Sequence, residues 1–287
     1  MEKLDFTKKI DSLKKKFNLS NSEQLENRDQ RMVDFYNASK GNLDLFDGYN
    51  CTECNNKGHY MYLLDGYECS RECKCMEIRN TIRNMQRSGL KNFIREYTLD
   101  KYEAIEPWQE NIKNKARQYL ADNTPNWWLI NGQSGSGKTH ICTAICREYL
   151  LKGRVVKYLL WKQDSTILKA CVNDYEIYQK KLNAFKNAEI LYIDDFLKPV
   201  KKDGQIVPPT PADVSLAFEI IDYRKNANLR TIFSSERSLL DLLEIDEATA
   251  GRIVEKATKE YILNLGNKKE RNYRTKGVFE EIPDELI

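Results

Sequence analysis

At 287 residues the chain has room for about two domains of roughly 150 residues each. Lys and Arg number 46 and Asp and Glu 43, a net charge of +3 that excludes a histone-like binder and an acidic tail but leaves room for a local basic patch. The 41% apolar and 31% charged composition is that of a folded, non-fibrous protein; no apolar run of about 18 residues is present to span a membrane, and MEKLDFTKKIDSLKKKF lacks the apolar core of a secretory signal, so a cytoplasmic protein with no membrane partner is expected.

Residues 1–17 set Ile10, Leu13 and Phe17 on one helical face among lysines. Ser20-Asn21-Ser22-Glu23 has capping-box spacing and opens a second helix lined by Leu25, Met32, Val33 and Tyr36. That apolar face either packs within its own domain or docks on another protein. Gly41, Asp47-Gly48 and Asn50 end the pattern, and five cysteines crowd into residues 51–75, with Cys142, Cys146 and Cys171 scattered beyond. In a cytoplasmic chain such a cluster points to metal rather than to disulfides. Cys51-x-x-Cys54 and Cys73-x-Cys75 are two close pairs, each able to grip one edge of a tetrahedral Zn²⁺. Cys69 and His59 lie between them, more ligands than zinc takes. Tyr49, Tyr60, Tyr62 and Tyr67 would cover the metal as a miniature core or stack on bases.

Residues 76–95 read as helix, and Arg79, Arg83, Arg87, Lys91 and Arg95 recur every four positions. If the helix continues through Ser88-Gly89 they form a basic stripe, either solvated or set on nucleic acid. The stretch from Pro107 to Pro125 reads as a connecting helix. A boundary near 95–105 divides the chain into an N-terminal domain, 1–100, and a C-terminal domain, 101–287. From there strands are expected at Trp127–Asn131, Val155–Leu160, Glu189–Ile193, Arg230–Ser234 and Tyr261–Leu265, with helices at 138–151, 165–187, 213–226 and 238–256. Short apolar runs interleaved with helices specify an α/β fold, a parallel sheet flanked by helices.

Gly132-Gln133-Ser134-Gly135-Ser136-Gly137-Lys138-Thr139 fits G-x-x-x-x-G-K-[ST] between the strand WWLIN and the helix HICTAICREYLL. Its glycines let backbone N–H groups turn toward phosphates, and the helix N-terminus adds partial positive charge. Lys138 would reach the terminal phosphates of ATP or ADP, and Thr139 would place its hydroxyl on Mg²⁺. His140, which closes this nucleotide-binding run, reads as a helix-surface residue and not a base; Cys142 and Cys146 read as packing against the sheet. In EILYIDD the strand ends on two acids: Asp194 would hold Mg²⁺ through water, and Asp195 would orient or deprotonate the attacking water. Trp161 to Ala188 carries Lys162, Lys169, Lys180, Lys181 and Lys186, and KPVKKDGQIVPPTP at 198–211 is a basic, proline-rich loop expected to order on assembly; both would contact phosphates in a salt-dependent way.

Together with the P-loop, ILYIDDF at 190–196, RTIFSSE at 230–236, GRIVE at 251–255, NYR at 272–274, the CTEC…CKC cluster and SGL followed by YTLDKYE at 88–103 resemble the AAA+ ATPases of the DnaC/DnaI helicase-loader group, above all their Gram-positive phage versions. The resemblance spans roughly 50–275. It implies an AAA+ P-loop NTPase with a small N-terminal helical zinc-binding domain. Its activity would be ATP hydrolysis, and its partners a hexameric DnaB-type replicative helicase, single-stranded DNA and neighbouring copies of itself. It implies Cys51, Cys54, Cys73 and Cys75 as zinc ligands, with Cys69 and then His59 as substitutes. Arg252 matches the loaders' arginine finger, Arg224 a second trans-acting place, and Arg274 a cis-acting arginine after the last strand. Glu236 stands where the group has a polar γ-phosphate sensor, a role that Ser234 or Ser235 would otherwise fill. Asp195 stands where AAA+ proteins generally have Glu, which implies slow turnover without partners. A transposition helper of the IstB type, and a non-catalytic nucleotide-binding adaptor that modulates a helicase, remain alternatives.

Overall fold

A computed structural model describes residues 28–87, 90, 92–266 and 271–274. The helix expected over 1–17 with Ile10, Leu13 and Phe17, the capping box at Ser20–Glu23, Leu25, and Ser88, Gly89 and Lys91 lie outside the described residues. Contacts divide the chain into two compact units, Met1–Met76 and Glu77–Ile287.

In the first unit α1 is described over 28–38, and the Lys57 ammonium binds the carbonyls of Tyr36, Asn37 and Ser39 at its end, a cation at the negative pole of the helix. The Asn37 side chain donates to the Met61 carbonyl and accepts from its N–H. A single turn, α2 (Asp44–Asp47), closes on Gly48. Next comes an antiparallel hairpin of β1 (His59–Leu64) and β2 (Tyr67–Glu72), with His59 opposite Glu72 and Leu64 opposite Tyr67. Its turn, Asp65-Gly66, has φ of 52° and 79°, the left-handed pair that a two-residue I′ turn requires. Both hairpin faces are largely exposed, so Tyr62 and Tyr67 face solvent and the Tyr60 hydroxyl accepts from Arg71. Of the four tyrosines expected over the cysteines, only Tyr49 is buried.

In α3 (Cys75–Arg87) Ile78, Ile82 and Met85 are buried, and Thr81 Oγ1 donates to the Val156 carbonyl. A short α4 (Phe93–Glu96) buries Phe93 and Ile94. Residues 77–100 therefore belong with the second unit, and the division falls at 76/77 instead of near 95–105. Arg79 is fully buried while Arg87 and Arg95 are exposed, so these arginines do not form one basic face.

Pro107 at the first turn and the reciprocal Glu106–Gln109 capping box start α5 (Pro107–Ala121). The alternating region follows as β3 (Trp128–Asn131), α6 (Lys138–Leu151), β4 (Val156–Leu160), α7 (Trp161–Ala170), α8 (Tyr175–Lys186) and β5 (Ile190–Asp194). It continues through β6 (Val200–Lys202), β7 (Gln205–Val207), α9 (Pro211–Asn226), β8 (Arg230–Ser235), α10 (Leu239–Ile245), α11 (Glu247–Ala257) and β9 (Ile262–Asn264). The main sheet has the order β4-β5-β8-β3-β9, every pair parallel. Strands buried along their whole length, such as ILYID in β5, are what a sheet covered on both faces requires.

Two expected helices are each two. The span 165–187 is interrupted before Asp174, whose carboxylate accepts from Ile177 N–H, and 238–256 is interrupted at Asp246, which caps α11 through Thr249 N–H. The loop at 198–211 forms a hairpin of β6 and β7 around Asp203-Gly204, with φ of 52° and 81°, rather than waiting on assembly for its order. No helix among the described residues is long and apolar enough to cross a membrane.

Candidate nucleotide site and cysteine centre

Because β8 lies between β3 and β5, the loop after β3 and the acids ending β5 open onto one cleft at the C-terminal edge of the sheet, where parallel α/β folds bind ligands. The cleft measures about 540 Å³ and is lined by Ser134 to His140, Asp194, Asp195, Lys198, Glu236 and Arg274, with Leu90, Tyr97, Tyr158, Leu160 and Tyr273 around them. Gly135 shows why the loop needs glycine: its φ is 76°, and a Cβ there would collide with the Asn272 side chain. Lys138 Nζ donates to the carbonyls of Gly132 at 2.8 Å and Gln133 at 2.6 Å, and Ser136 Oγ donates to Gln133 O at 2.8 Å. Burial lowers the Lys138 pKa, opposed by the charges of Glu236, Asp195 and Asp194.

Thr139 Oγ1 lies 3.4 Å from Asp194 Oδ1, so the two expected magnesium ligands face each other. Asp194 also accepts from Tyr158 OH at 2.8 Å and from Ser234 Oγ. Burial and the Asp194 charge raise the Tyr158 pKa and keep that phenol a donor. Strand register explains this contact: Tyr158 pairs with Tyr192 and Leu160 with Asp194, which sets Tyr158 diagonal to the acid. Asp195 N–H donates to Asp194 Oδ1 at 3.1 Å and to Ser234 Oγ at 3.2 Å. Ser235 Oγ instead donates to the Phe196 carbonyl. Glu236 reaches the cleft and pairs with Lys198 at 3.3 Å. Tyr158 belongs to no motif and sequence reasoning missed it, whereas Lys198, read as the first cation of a basic loop on nucleic-acid phosphates, lines the cleft instead.

His140 is not a free surface residue. Its Nε2 lies 3.0 Å from Thr98 O, its ring packs against Tyr97 and Tyr102, and burial lowers its pKa. Cys142 and Cys146 are fully buried on α6, as expected.

The three arginines have three different settings. Arg274 enters the cleft and donates to Ser134 Oγ at 3.1 Å. Arg252 lies on α11, paired with Asp222 at 2.7 Å and stacked over Phe218 at 4.6 Å, outside its own chain's cleft. Arg224 is fully buried: its guanidinium donates to Thr231 Oγ1 and to the carbonyls of Phe185, Lys186, Ala188 and Arg230. Burial pulls its pKa down to about 9. It ties α8, α9 and β8 together, so the expectation that it reaches a neighbour's nucleotide is corrected. Arg224→Ala is expected to lower unfolding free energy by at least about 3 kcal/mol, because several buried carbonyls lose their donor, and a urea titration measures the loss. Of the lysines between β4 and β5, Lys169 pairs with Asp213 and Lys186 with Glu219, whereas Lys162, Lys180 and Lys181 are exposed.

In the first unit the Sγ atoms of Cys51, Cys54, Cys73 and Cys75 all lie within 4.8 Å of one another, and all four residues are buried. Zn–S bonds of about 2.3 Å place sulfurs about 3.8 Å apart on a tetrahedron, so the set fits zinc. Gly58 N–H donates to Cys54 Sγ at 3.2 Å and Cys51 N–H to Asn56 Oδ1 at 2.7 Å, which orients the loop that bears the ligands. The substitutes lie elsewhere: Cys69 is opposite Tyr62 in the hairpin, and His59 Nε2 is 2.6 Å from Tyr36 OH.

Residues 80–265 match the family described as type III restriction enzyme, res subunit. Over 239 residues the chain is 30% identical to the phage-like element PBSX protein XkdC of Bacillus subtilis (strain 168), covering 80% of this chain and 88% of XkdC. Over 128 residues it is 29% identical to the replicative helicase loader DnaC of Escherichia coli (strain K12), covering 44% of this chain and 51%, about half, of DnaC. A crystal structure described as a DNA replication initiation factor superposes with a TM-score of 0.50 at 18% identity, over 64% of this chain and 53% of that one; this likeness is one of fold.

Proposed function

Since the chain belongs to the DnaC/DnaI-type helicase-loader group of AAA+ ATPases and also matches the family described as type III restriction enzyme, res subunit, over residues 80–265, we propose that it loads a replicative helicase in an ATP-dependent way. The observation that carries this reading is the cleft in which the P-loop, Asp194, Asp195, Glu236 and Arg274 converge. Lys138 and the inward N–H groups of the loop hold the phosphates. Thr139 and Asp194 would hold Mg²⁺, which would supply positive charge against the phosphates. Asp195 takes the proton of the attacking water, and Arg274 adds positive charge in cis. Arg252, on the α11 face, supplies a guanidinium to the cleft of a neighbouring copy, so turnover is coupled to assembly. Because the Asp195 side chain is one methylene shorter than the Glu that AAA+ proteins generally have there, turnover of the chain alone stays below about 1 s⁻¹.

The four cysteines hold a structural zinc, closed to substrate. The unit that contains them docks on a hexameric DnaB-type helicase. Supporting this, Phe35, Leu45 and Phe46 are 75–77% exposed, unusual for large apolar side chains without a partner. Single-stranded DNA is held through phosphates by Lys162, Lys180 and Lys181, without base-specific reading. Mixing the chain with a DnaB-type hexamer, with and without ATP, and weighing the complex tests the proposal. A stable complex whose mass depends on ATP is expected, and two unassociated species under both conditions would contradict it.

A further inference from the structure

Three acids, Asp194, Asp195 and Glu236, line the phosphate end of the cleft, into which a nucleoside triphosphate brings more negative charge. Lys138 belongs to the loop and Arg274 follows the last strand. The third cation, Lys198, belongs to neither. Its Nζ stands 2.8 Å from Asp195 Oδ2 and 3.3 Å from Glu236 Oε1. Burial works against its charge, but the hydrogen bond and charge of Asp195, reinforced by Glu236, outweigh it and raise its pKa.

The backbone carrying Lys198 is strained and firmly anchored. Asp195 and Leu197 have φ of 53° and 47°, a region that residues with a side chain seldom occupy. Lys198 N–H closes the turn onto Asp195 O at 3.0 Å, and the turn is fastened to the end of β8: Phe196 N–H donates to Ser234 O at 2.8 Å, Ser235 Oγ to Phe196 O at 2.8 Å, and Arg237 Nε to Leu197 O at 2.5 Å. Phe196 and Leu197 are buried. The lysine side chain, 35% exposed, thus extends from a fixed turn to two carboxylates and lines the same cleft as Lys138.

We propose that Lys198 is the cation that senses the terminal phosphate: it bridges Asp195 and Glu236 as folded, exchanges its Asp195 contact for an oxygen of the γ-phosphate, and stays tethered through Glu236. The proposal rests on the nucleotide reading above. The exchange gives a triphosphate a charge-assisted hydrogen bond that a diphosphate is too short to make. It also releases the Asp195 carboxylate only when a γ-phosphate is present. Glu236, an awkward group beside a triphosphate, becomes the counter-ion that aims the lysine.

Calorimetric titration of the full chain with the magnesium complexes of a non-hydrolysable ATP analogue and of ADP tests this. Lys198→Met is expected to weaken analogue binding about tenfold or more while ADP affinity changes less than about threefold. Lys198→Gln, equally unable to carry charge, is expected to give the same split and serves if the methionine variant fails to fold. Lys198→Arg keeps the preference for the triphosphate. Lys198→Met combined with Glu236→Gln is expected to bind the analogue more tightly than Lys198→Met alone, since the unpaired acid is gone. Equal losses for both nucleotides, or no loss for either, overturn the sensing role, and no gain in the double variant overturns the pairing with Glu236. If the unaltered chain binds neither nucleotide, it is the nucleotide reading itself that fails.

Discussion

Replacing Cys54 with serine, or stripping the metal with a chelator, is expected to unfold the first unit while the second keeps its structure. The first unit has little else to hold it. Beyond the four cysteines, Val33 and Tyr49 are the buried apolar side chains among its described residues, and an isolated two-stranded hairpin is marginal in water. A structural zinc contributes on the order of 10–16 kcal/mol to such a fold, far more than these contacts, so its loss is decisive. The second unit has its own core, including Trp127, Leu129, Leu191, Ile193, Phe196 and Phe233, and does not depend on the metal. Hydrogen exchange resolves the two outcomes by residue: amides of 59–72 lose protection while those of β3, β5 and β8 keep it. Mass spectrometry of the native chain is expected to find one zinc. Unchanged protection of the hairpin after complete metal removal would contradict the role given to the cysteines.

Asp195→Asn is expected to lower ATP turnover by about 10²–10⁴-fold, the usual contribution of a positioned general base, while nucleotide affinity changes little. The separation follows from geometry. Asp194 faces Thr139, the pair proposed to hold Mg²⁺, whereas Asp195 points its carboxylate at Lys198, within the cleft but off the loop. Turnover is to be measured with the proposed helicase partner present. A variant that hydrolyses ATP at the original rate would remove Asp195 from the chemistry.

The parallel sheet is legible because its strands are continuous apolar runs, and the P-loop because its pattern fixes four residue types at set places in a span of eight between strand and helix. Both hairpins carry a signal that is easily passed over: Asp65-Gly66 and Asp203-Gly204 are strong two-residue turn pairs. Around Asp65-Gly66 the cysteines dominate the pattern, and around Asp203-Gly204 the lysines and prolines have the composition of an irregular loop. The split helices are signalled by Asp174 and Asp246, N-cap residues set inside longer apolar patterns. The arginines are less readable. Arg224 and Arg252 lie on α9 and α11 in similar charged surroundings, yet one spans buried carbonyls and the other pairs with Asp222 near the surface. Helical spacing alone does not distinguish these fates, because they depend on which carbonyls α8 and β8 leave unpaired. Lys198 reads in the sequence only as the first cation of a basic loop, and nothing there places it in the cleft, since the left-handed turn that aims it is set by the end of β8.

Equilibrium binding of magnesium ATP to the purified chain, with Lys138→Ala as the paired control, tests the central claim most directly. Saturable one-to-one binding that disappears in the alanine variant is the predicted result. No retention of adenine nucleotide by the unaltered chain at any concentration, or equal binding by both proteins, would contradict it.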